Sequence, residues 1–214
     1  MKKIIAFNGS PRKNWNTATL LEKALEGAAS IGAENKLINL YDLSYDGCIS
    51  CFACKTKNGK SYGHCAINDE LTTILSEAEQ ADALVFGSPI YFGTITGKMK
   101  LFFERLMFPY LTYTNPPQSL FPKKIPTAFI YTMNNSERTM FERQHDKPIA
   151  FNQTYLSWIF GSSETLCSFD TCQFEDYAKV FAPRFDAEKK SKSRHEVFPI
   201  DCQKAFEMGI RLVS

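Results

Sequence analysis

The sequence predicts an α/β fold in which helices alternate with the strands of one five-stranded parallel sheet. Two continuous apolar runs, at 83–88 and 127–131, lack polar alternation, which is typical of strands buried on both faces. Apolar residues at helical spacing follow the first strand, at Leu20, Leu21, Ala24, Leu25 and Ala28. The chain has 214 residues, of which 44% are hydrophobic, and this is enough to bury one sizeable core.

The predicted elements succeed one another regularly along the chain. Strands are predicted from Lys3 into a polar loop and then at 36–40, 83–88, 127–131 and 165–169, and helices from about Thr17 and then at 69–78, 98–108, 149–160 and 201–212. The proline-rich segment 109–126 is unsuited to a regular element. No linker or composition shift divides the chain, so residues 1–214 are predicted to form one domain with a cysteine-rich insertion at about 46–68.

The loop after the first strand has the composition of a phosphate-binding loop. It contains Ser10, Arg12, Asn16 and Thr17, and it leads into a helix whose first N–H groups and positive dipole end attract anions. The sequence lacks the lysine loop that binds triphosphates and the three-glycine turn that binds dinucleotides. A single terminal phosphate therefore fits this loop better.

The pattern G-S-P-R-K-x-x-N-T at 9–17 resembles the phosphate loop of the flavodoxin-like NAD(P)H-dependent FMN reductase and quinone reductase family, which includes an iron-sulfur flavoprotein branch. The resemblance implies a three-layer flavodoxin-like sandwich with strand order 2-1-3-4-5. It also implies that Ser10, Arg12, Asn16 and Thr17 hold the phosphate of FMN. Family members with shared flavin sites suggest a homodimer or homotetramer.

A second motif follows the third strand and resembles the family loop that wraps the edge of the isoalloxazine ring. The resemblance assigns it the ring-contacting residues Pro89, Ile90, Tyr91, Phe92 and Gly93. The fourth strand ends at Thr132, Met133 and Asn134, and strand ends of parallel sheets carry the ligand sites of such folds. These three residues are predicted to form the third side of the flavin site.

Four cysteines are concentrated in the insertion, as Cys48, Cys51 and Cys54 in a C-x-x-C-x-x-C run and then Cys65. Thiolates at this spacing suit a [4Fe-4S] cluster, and iron-sulfur flavoproteins carry such a run. In those relatives the last gap is compact, whereas residues 55–64 intervene here. Zinc, a redox thiol pair and reduced structural thiols remain open alternatives.

Charge and hydropathy exclude several classes of partner. The formal net charge is +2 with no basic stripe, which argues against nucleic acid and membrane surfaces as main partners. No apolar run approaches the length of a membrane span, and a cytoplasmic location is expected, with cysteines reduced or metal-bound. The charged run 188–195 is predicted to be a solvated face or connector; the alternative is that one of its cations contacts a phosphate of a nicotinamide cofactor.

The resemblance implies an FMN-dependent oxidoreductase that transfers electrons from NAD(P)H to a quinone, a flavin or a similar small-molecule acceptor. Because N5 of the flavin carries the chemistry, no catalytic side chain is assigned. One alternative is an iron-sulfur flavoprotein that exchanges electrons with ferredoxin through a [4Fe-4S] cluster. The other is a non-catalytic flavin or thiol redox sensor.

Overall fold

A five-stranded parallel sheet forms the centre of the protein in a computed structural model that describes residues 1–214. The strands are β1 (Lys3–Asn8), β2 (Glu34–Asn39), β3 (Ala83–Pro89), β4 (Ile125–Thr132) and β5 (Gly161–Ser168). Their order across the sheet is β2-β1-β3-β4-β5, and every neighbouring pair is parallel. The predicted fold class and strand order are confirmed.

Helices cover both faces of the sheet and complete a three-layer sandwich. They are α1 (Asn16–Ser30), α2 (Leu71–Gln80), α3 (Gly97–Met107), α4 (Glu137–Glu142), α5 (Asp146–Phe160), α6 (Ala187–Lys192) and α7 (Phe198–Val213). Apolar residues of α1 and α7 share a core with one face of the sheet, whereas those of α2, α3 and α5 share a core with the other. No helix of the structure has the length and apolar character needed to cross a membrane.

Alternating side chains of each buried strand supply the two cores. In β1, Ile4 and Ala6 face α1 and α7, while Ile5 and Phe7 face the opposite layer. Aromatic rings dominate that second layer: the centroids of Phe7 and Phe86 lie 5.5 Å apart, and Phe102 of α3 lies 4.6 Å from Phe7. This packing fixes the start of α3 relative to the ends of β1 and β3.

The structure departs from the predicted elements mainly after β4. Strand β5 begins at Gly161, four residues before the predicted start, because its first half is a polar edge segment without an apolar signal. The run 188–195, predicted to be a solvated face or connector, forms α6 and the first residues of the π-helix Ser193–Val197, and Lys190 is its one buried residue. Asp186 caps α6 by accepting hydrogen bonds from the N–H groups of Glu188 and Lys189.

Helices α1 and α7 approach closely enough that glycine is required at their contact. A Cβ atom added to Gly209 would fall on the carbonyl oxygen of Ala24, and one added to Gly27 would fall on that of Phe206. Backbone lies against backbone at both points, so no side-chain rotation relieves the overlap. The chain's last helix is thus seated on the helix that follows the phosphate-type loop.

We expect Gly209→Ala to lower the free energy of unfolding by about 1–3 kcal/mol, because it overpacks this contact. Urea denaturation of the purified protein measures the change. Gly97→Ala is the matched control, since no atom lies within 4 Å of its added carbon. Equal stability of the two variants would show that α7 is not seated as described.

Candidate functional site

The loops that follow β1, β3 and β4 enclose a cavity of about 530 Å³ at the carboxyl edge of the sheet. Ten of the twelve residues predicted for cofactor binding line it: Ser10, Arg12, Asn16, Thr17, Pro89, Ile90, Tyr91, Thr132, Met133 and Asn134. Phe92 and Gly93 are absent from the lining. The side chain of Phe92 is fully exposed, and Gly93 packs against the ring of His145.

Buried hydroxyl groups join the three loops to one another. The Thr96 hydroxyl donates to the carbonyl oxygen of Gly9 at 2.7 Å, which ties the loop after β3 to the loop after β1. The hydroxyl oxygens of Thr17 and Thr132 lie 2.7 Å apart and join α1 to the end of β4. Each of these threonines is at most 3% exposed, so the cavity floor is held by bonds that water does not reach.

The N-terminus of α1 opens into the cavity without a side-chain cap. Trp15 occupies the cap position in extended backbone, and its side chain accepts no hydrogen bond from the helix. The first N–H groups of the helix therefore remain available to an anion. Ser10 and the Arg12 guanidinium line the same part of the cavity.

The segment after β5 forms a wall that the sequence did not predict. Its Cys172 carbonyl oxygen accepts hydrogen bonds from Trp15 Nε1 at 2.9 Å and from Asn16 Nδ2 at 2.8 Å, and Arg12 donates to the carbonyl oxygen of Gln173. The Arg12 guanidinium also stacks on Trp15, 3.9 Å from the ring centroid. The Trp15 indole, which stands in an otherwise polar loop, is the one feature of the sequence that indicates this wall.

A tight turn carries the ring-binding candidates of the loop after β3. Tyr91 and Thr94 exchange two backbone hydrogen bonds, of 2.8 and 3.1 Å, across Phe92 and Gly93. Both intervening residues have positive φ, at 50° and 86°, which is the conformation of a type I′ turn and favours glycine. Tyr91 lines the cavity beside this turn, and burial raises the pKa of its phenol, which keeps it protonated as a donor.

Asn134 contributes a buried polar atom that has no partner. Its Nδ2 donates to Gln173 Oε1 at 2.9 Å, while its Oδ1 is buried and accepts no hydrogen bond. An unpaired buried acceptor costs about 1–3 kcal/mol in a protein. The cavity thus presents an acceptor that suits the N–H group of a ligand.

The four clustered cysteines line a second, mainly apolar cavity of about 20 Å³. Ser50 and Phe52, inside the C-x-x-C-x-x-C run, adopt left-handed backbone with φ near 55°. Such conformations in non-glycine residues are strained and concentrate at functional sites. All four thiols are free, and no three metal-ligating side chains of the protein are arranged to hold a metal ion.

A buried guanidinium anchors the end of this cysteine segment to α3. Arg105, 1% exposed, donates from Nε to Cys65 Sγ at 3.2 Å and from Nη2 to Asp69 Oδ1 at 2.9 Å. It also donates to the carbonyl oxygens of Asp46 and Ile67. The Arg105 bond holds the pKa of the Asp69 carboxyl below its ordinary value. One side chain therefore fixes both ends of the insertion.

The model of one protein family, described as NADPH-dependent FMN reductase, matches residues 2–165. The chain belongs to the NADPH-dependent FMN reductase family. The match covers β1 to most of β5 and therefore includes all three cavity loops. The segment after β5, which supplies the extra wall, lies beyond it.

Curated relatives of this reductase-family chain include iron-sulfur flavoproteins. One from Methanocaldococcus jannaschii is 37% identical over 103 residues, which are 48% of this chain and 51% of that protein. One from Archaeoglobus fulgidus is 38% identical over 103 residues, which are 48% of each protein. The chain spans about half the length of the curated relatives it matches.

Solved structures share the fold of this family member over nearly its whole length. The NAD(P)H:quinone oxidoreductase from Methanothermobacter marburgensis aligns with a TM-score of 0.69 and 14% identity, covering 99% of this chain and 98% of the other. An FMN-dependent NADH-azoreductase from Bacillus anthracis, solved in complex with FMN, aligns with a TM-score of 0.68 and 14% identity, covering all of both chains. At this identity the likeness establishes the flavodoxin-like architecture alone.

The cavity of this family member fits FMN by its own chemistry. An uncapped helix N-terminus with Ser10 and Arg12 suits a phosphate, and the unpartnered Asn134 Oδ1 suits an N–H of the isoalloxazine ring. A volume of about 530 Å³ lies within the range of cofactor sites. The remaining candidate, the cysteine cavity, is lined by Glu104 and Arg105 near the C-terminal end of α3.

We expect Asp69→Asn to lower the free energy of unfolding by about 3 kcal/mol at pH 7, because it leaves the buried Arg105 charge uncompensated. The Asp69 carboxylate, whose pKa is depressed in the folded protein, stabilises it at neutral pH, and this contribution is lost as pH falls through that pKa. The difference between variant and wild type should therefore shrink in acid, as urea denaturation at several pH values would measure.

The control for this variant is Glu77→Gln, which removes the exposed Lys36–Glu77 pair. Its effect should stay below about 1 kcal/mol. A loss in Asp69→Asn no larger than in this control, or one independent of pH, would contradict the role given to the Arg105–Asp69 pair.

Proposed function

We propose that this protein is an FMN-dependent oxidoreductase that takes electrons from NAD(P)H and delivers them to a small-molecule acceptor such as a quinone or a flavin. Residues 1–214 act in this proposal as one FMN-binding domain. When bound, FMN supplies the hydride-accepting chemistry at its N5 atom. The protein's own residues bind the cofactor, orient it and leave one face of the cavity open.

The observation that carries the proposal is the convergence of ten predicted cofactor residues on one cavity at the switch point of the sheet. In this proposal the N-terminus of α1, Ser10 and Arg12 hold the phosphate. Asn134 accepts a hydrogen bond from the ring through Oδ1, which has no other partner. Tyr91 packs beside the ring and donates from a phenol that stays protonated.

Binding of the phosphate is proposed to exchange partners within the phosphate-type loop. Arg12 donates here to the Gln173 carbonyl oxygen, and Asn16 donates to that of Cys172. A phosphate offers both donors a charged acceptor: Asn16 would exchange a neutral hydrogen bond for a charge-assisted one, and Arg12 would exchange a neutral acceptor for an anion. The wall after β5 therefore occupies the donors until the cofactor binds.

We expect Arg12→Ala to weaken FMN binding by about 1.5–3 kcal/mol, or roughly 10- to 150-fold in dissociation constant, because it removes a charged phosphate contact. Quenching of flavin fluorescence during titration of the apoprotein measures the change. Arg211→Ala removes an exposed arginine that pairs with Glu164 and serves as the control. Equal affinity in the two variants would refute the phosphate role of Arg12.

The same samples test whether the protein is a reductase or a sensor. Loaded with FMN, the wild type should oxidise NADH or NADPH repeatedly when a quinone is supplied, and the turnover should fall in Arg12→Ala at low FMN. Excess FMN should restore turnover in this variant, because the defect lies in cofactor retention. Binding of FMN without sustained turnover would contradict the reductase proposal and favour a non-catalytic flavin sensor.

The second candidate function is that of an iron-sulfur flavoprotein that exchanges electrons with ferredoxin. The observation that favours it is the placement of Cys48, Cys51, Cys54 and Cys65 around one small cavity, with Arg105 bonded to the last sulfur. Curated relatives named iron-sulfur flavoproteins add support.

Assays of iron and acid-labile sulfide on anaerobically purified protein decide between the two functions. Four iron and four sulfide per chain, as a [4Fe-4S] cluster requires, would establish the second candidate. Loss of both on Cys51→Ala, with FMN retained, would place the cluster at these cysteines. Flavin without iron or sulfide would eliminate the cluster and leave the cysteines as thiols.

A further inference from the structure

A second large cavity, of about 600 Å³, lies beside the flavin-type cavity and shares Asn134 with it. Its walls are the loop after β4, the segment around Phe185, helix α6 and the π-helix that follows. The cavity is mainly polar, and only three of its fifteen lining residues are hydrophobic. The two cavities are therefore neighbours, and Asn134 belongs to the wall between them.

Two cations in this second cavity have no acidic partner. Arg184 and Lys189 line it, are exposed to solvent and form no ion pair or side-chain hydrogen bond in the protein. The other lysines are paired: Lys190 lies 3.2 Å from Asp170, and Lys192 lies 3.8 Å from Glu196. Arg184 and Lys189 are therefore the two cations of the lining that remain available to a ligand.

The acidic side chains of the cavity are already engaged. Asp170 pairs with Lys190, whose side chain is 6% exposed and whose ammonium also donates to the Asn134 carbonyl oxygen at 2.7 Å. Asp186 accepts two N–H groups at the start of α6. The lining holds four cations and three carboxylates, counting Glu196, so its net charge is +1 and the cavity suits an anion.

We propose that this cavity binds the phosphate-bearing adenosine half of NADPH. The inference rests on the proposed function, in which the nicotinamide half enters the flavin-type cavity. Asn134, in the wall common to both cavities, lies between the two halves. Arg184 and Lys189 contact the 2′-phosphate, and Phe185 offers an aromatic face on which the base stacks.

The charges favour the phosphorylated ribose of NADPH over the free hydroxyl of NADH. An additional phosphate monoester carries between one and two negative charges at neutral pH, and two unpaired cations face it. Arg184 Cζ and Lys190 Nζ lie 5.8 and 5.5 Å from the centroid of the Phe185 ring. A base stacked on Phe185 would therefore lie close to the cations that bind the phosphate. Segment 182–197 therefore selects NADPH over NADH as the electron donor.

The direct test uses adenosine 2′,5′-bisphosphate as the probe and calorimetry on the FMN-loaded protein. The wild type should bind it without releasing FMN, since the two ligands occupy different cavities. In the double variant Arg184→Gln/Lys189→Gln the affinity should fall at least about tenfold. Absence of binding to the wild type, or unchanged affinity in the variant, would overturn the inference.

Kinetics of the same variant separate this inference from the proposed function. The KM for NADPH should rise at least about tenfold while kcat and the KM for NADH change little, because the lost contacts bind substrate away from the reacting atoms. The control is Lys60→Gln/Lys100→Gln, which removes two exposed cations outside the cavity. An unchanged KM for NADPH refutes the inference alone, whereas failure of both nucleotides to reduce the wild-type flavin refutes the proposed function.

Discussion

The central position of β1, paired with β2 on one side and β3 on the other, is the constraint on which the rest of the structure depends. Helix α1 leaves β1 toward one face of the sheet, and α3 follows β3 on the other, so the loops diverge and leave a crevice. The aromatic contacts of Phe7, Phe86 and Phe102 hold this arrangement rigid. The polar groups at the strand ends are thereby preorganised around a crevice at the edge of the sheet, and the interior of the core stays packed.

The insertion between β2 and α2 is attached to this framework by charged groups as well as by apolar packing, since the ring centroids of Phe52 and Phe108 lie 6.2 Å apart. Arg105 reaches it from α3 and bonds to Cys65, Asp69 and two carbonyl oxygens, while Lys55 donates in return to the carbonyl oxygens of Phe108 and Pro109. These two cations hold the cysteines beside the end of α3. The cysteine cavity and the flavin-type cavity are therefore connected through one rigid helix.

The sequence was most informative where a motif coincided with a strand end. The apolar runs at 83–88 and 127–131 predicted buried strands, and the loops after β1, β3 and β4 brought ten of twelve predicted residues together. Phe92 does not line the cavity as predicted, because the positive φ of its turn directs its side chain outward. The residue type does not reveal that backbone conformation. The wall at 171–176 and helix α6 carry no periodic signal, since backbone carbonyl oxygens and a side-chain cap form them. Such contacts depend on tertiary placement, which a sequence pattern does not encode.

The most direct test of the account is an anaerobic titration of the FMN-loaded protein with NADPH, followed by flavin absorbance in the absence of any acceptor. The account predicts that about one equivalent of NADPH bleaches the flavin fully, because hydride transfer delivers two electrons to FMN. Flavin that stays oxidised with NADPH and NADH, yet is bleached by dithionite, would contradict it. The cavity would then bind a flavin that neither NADPH nor NADH reduces.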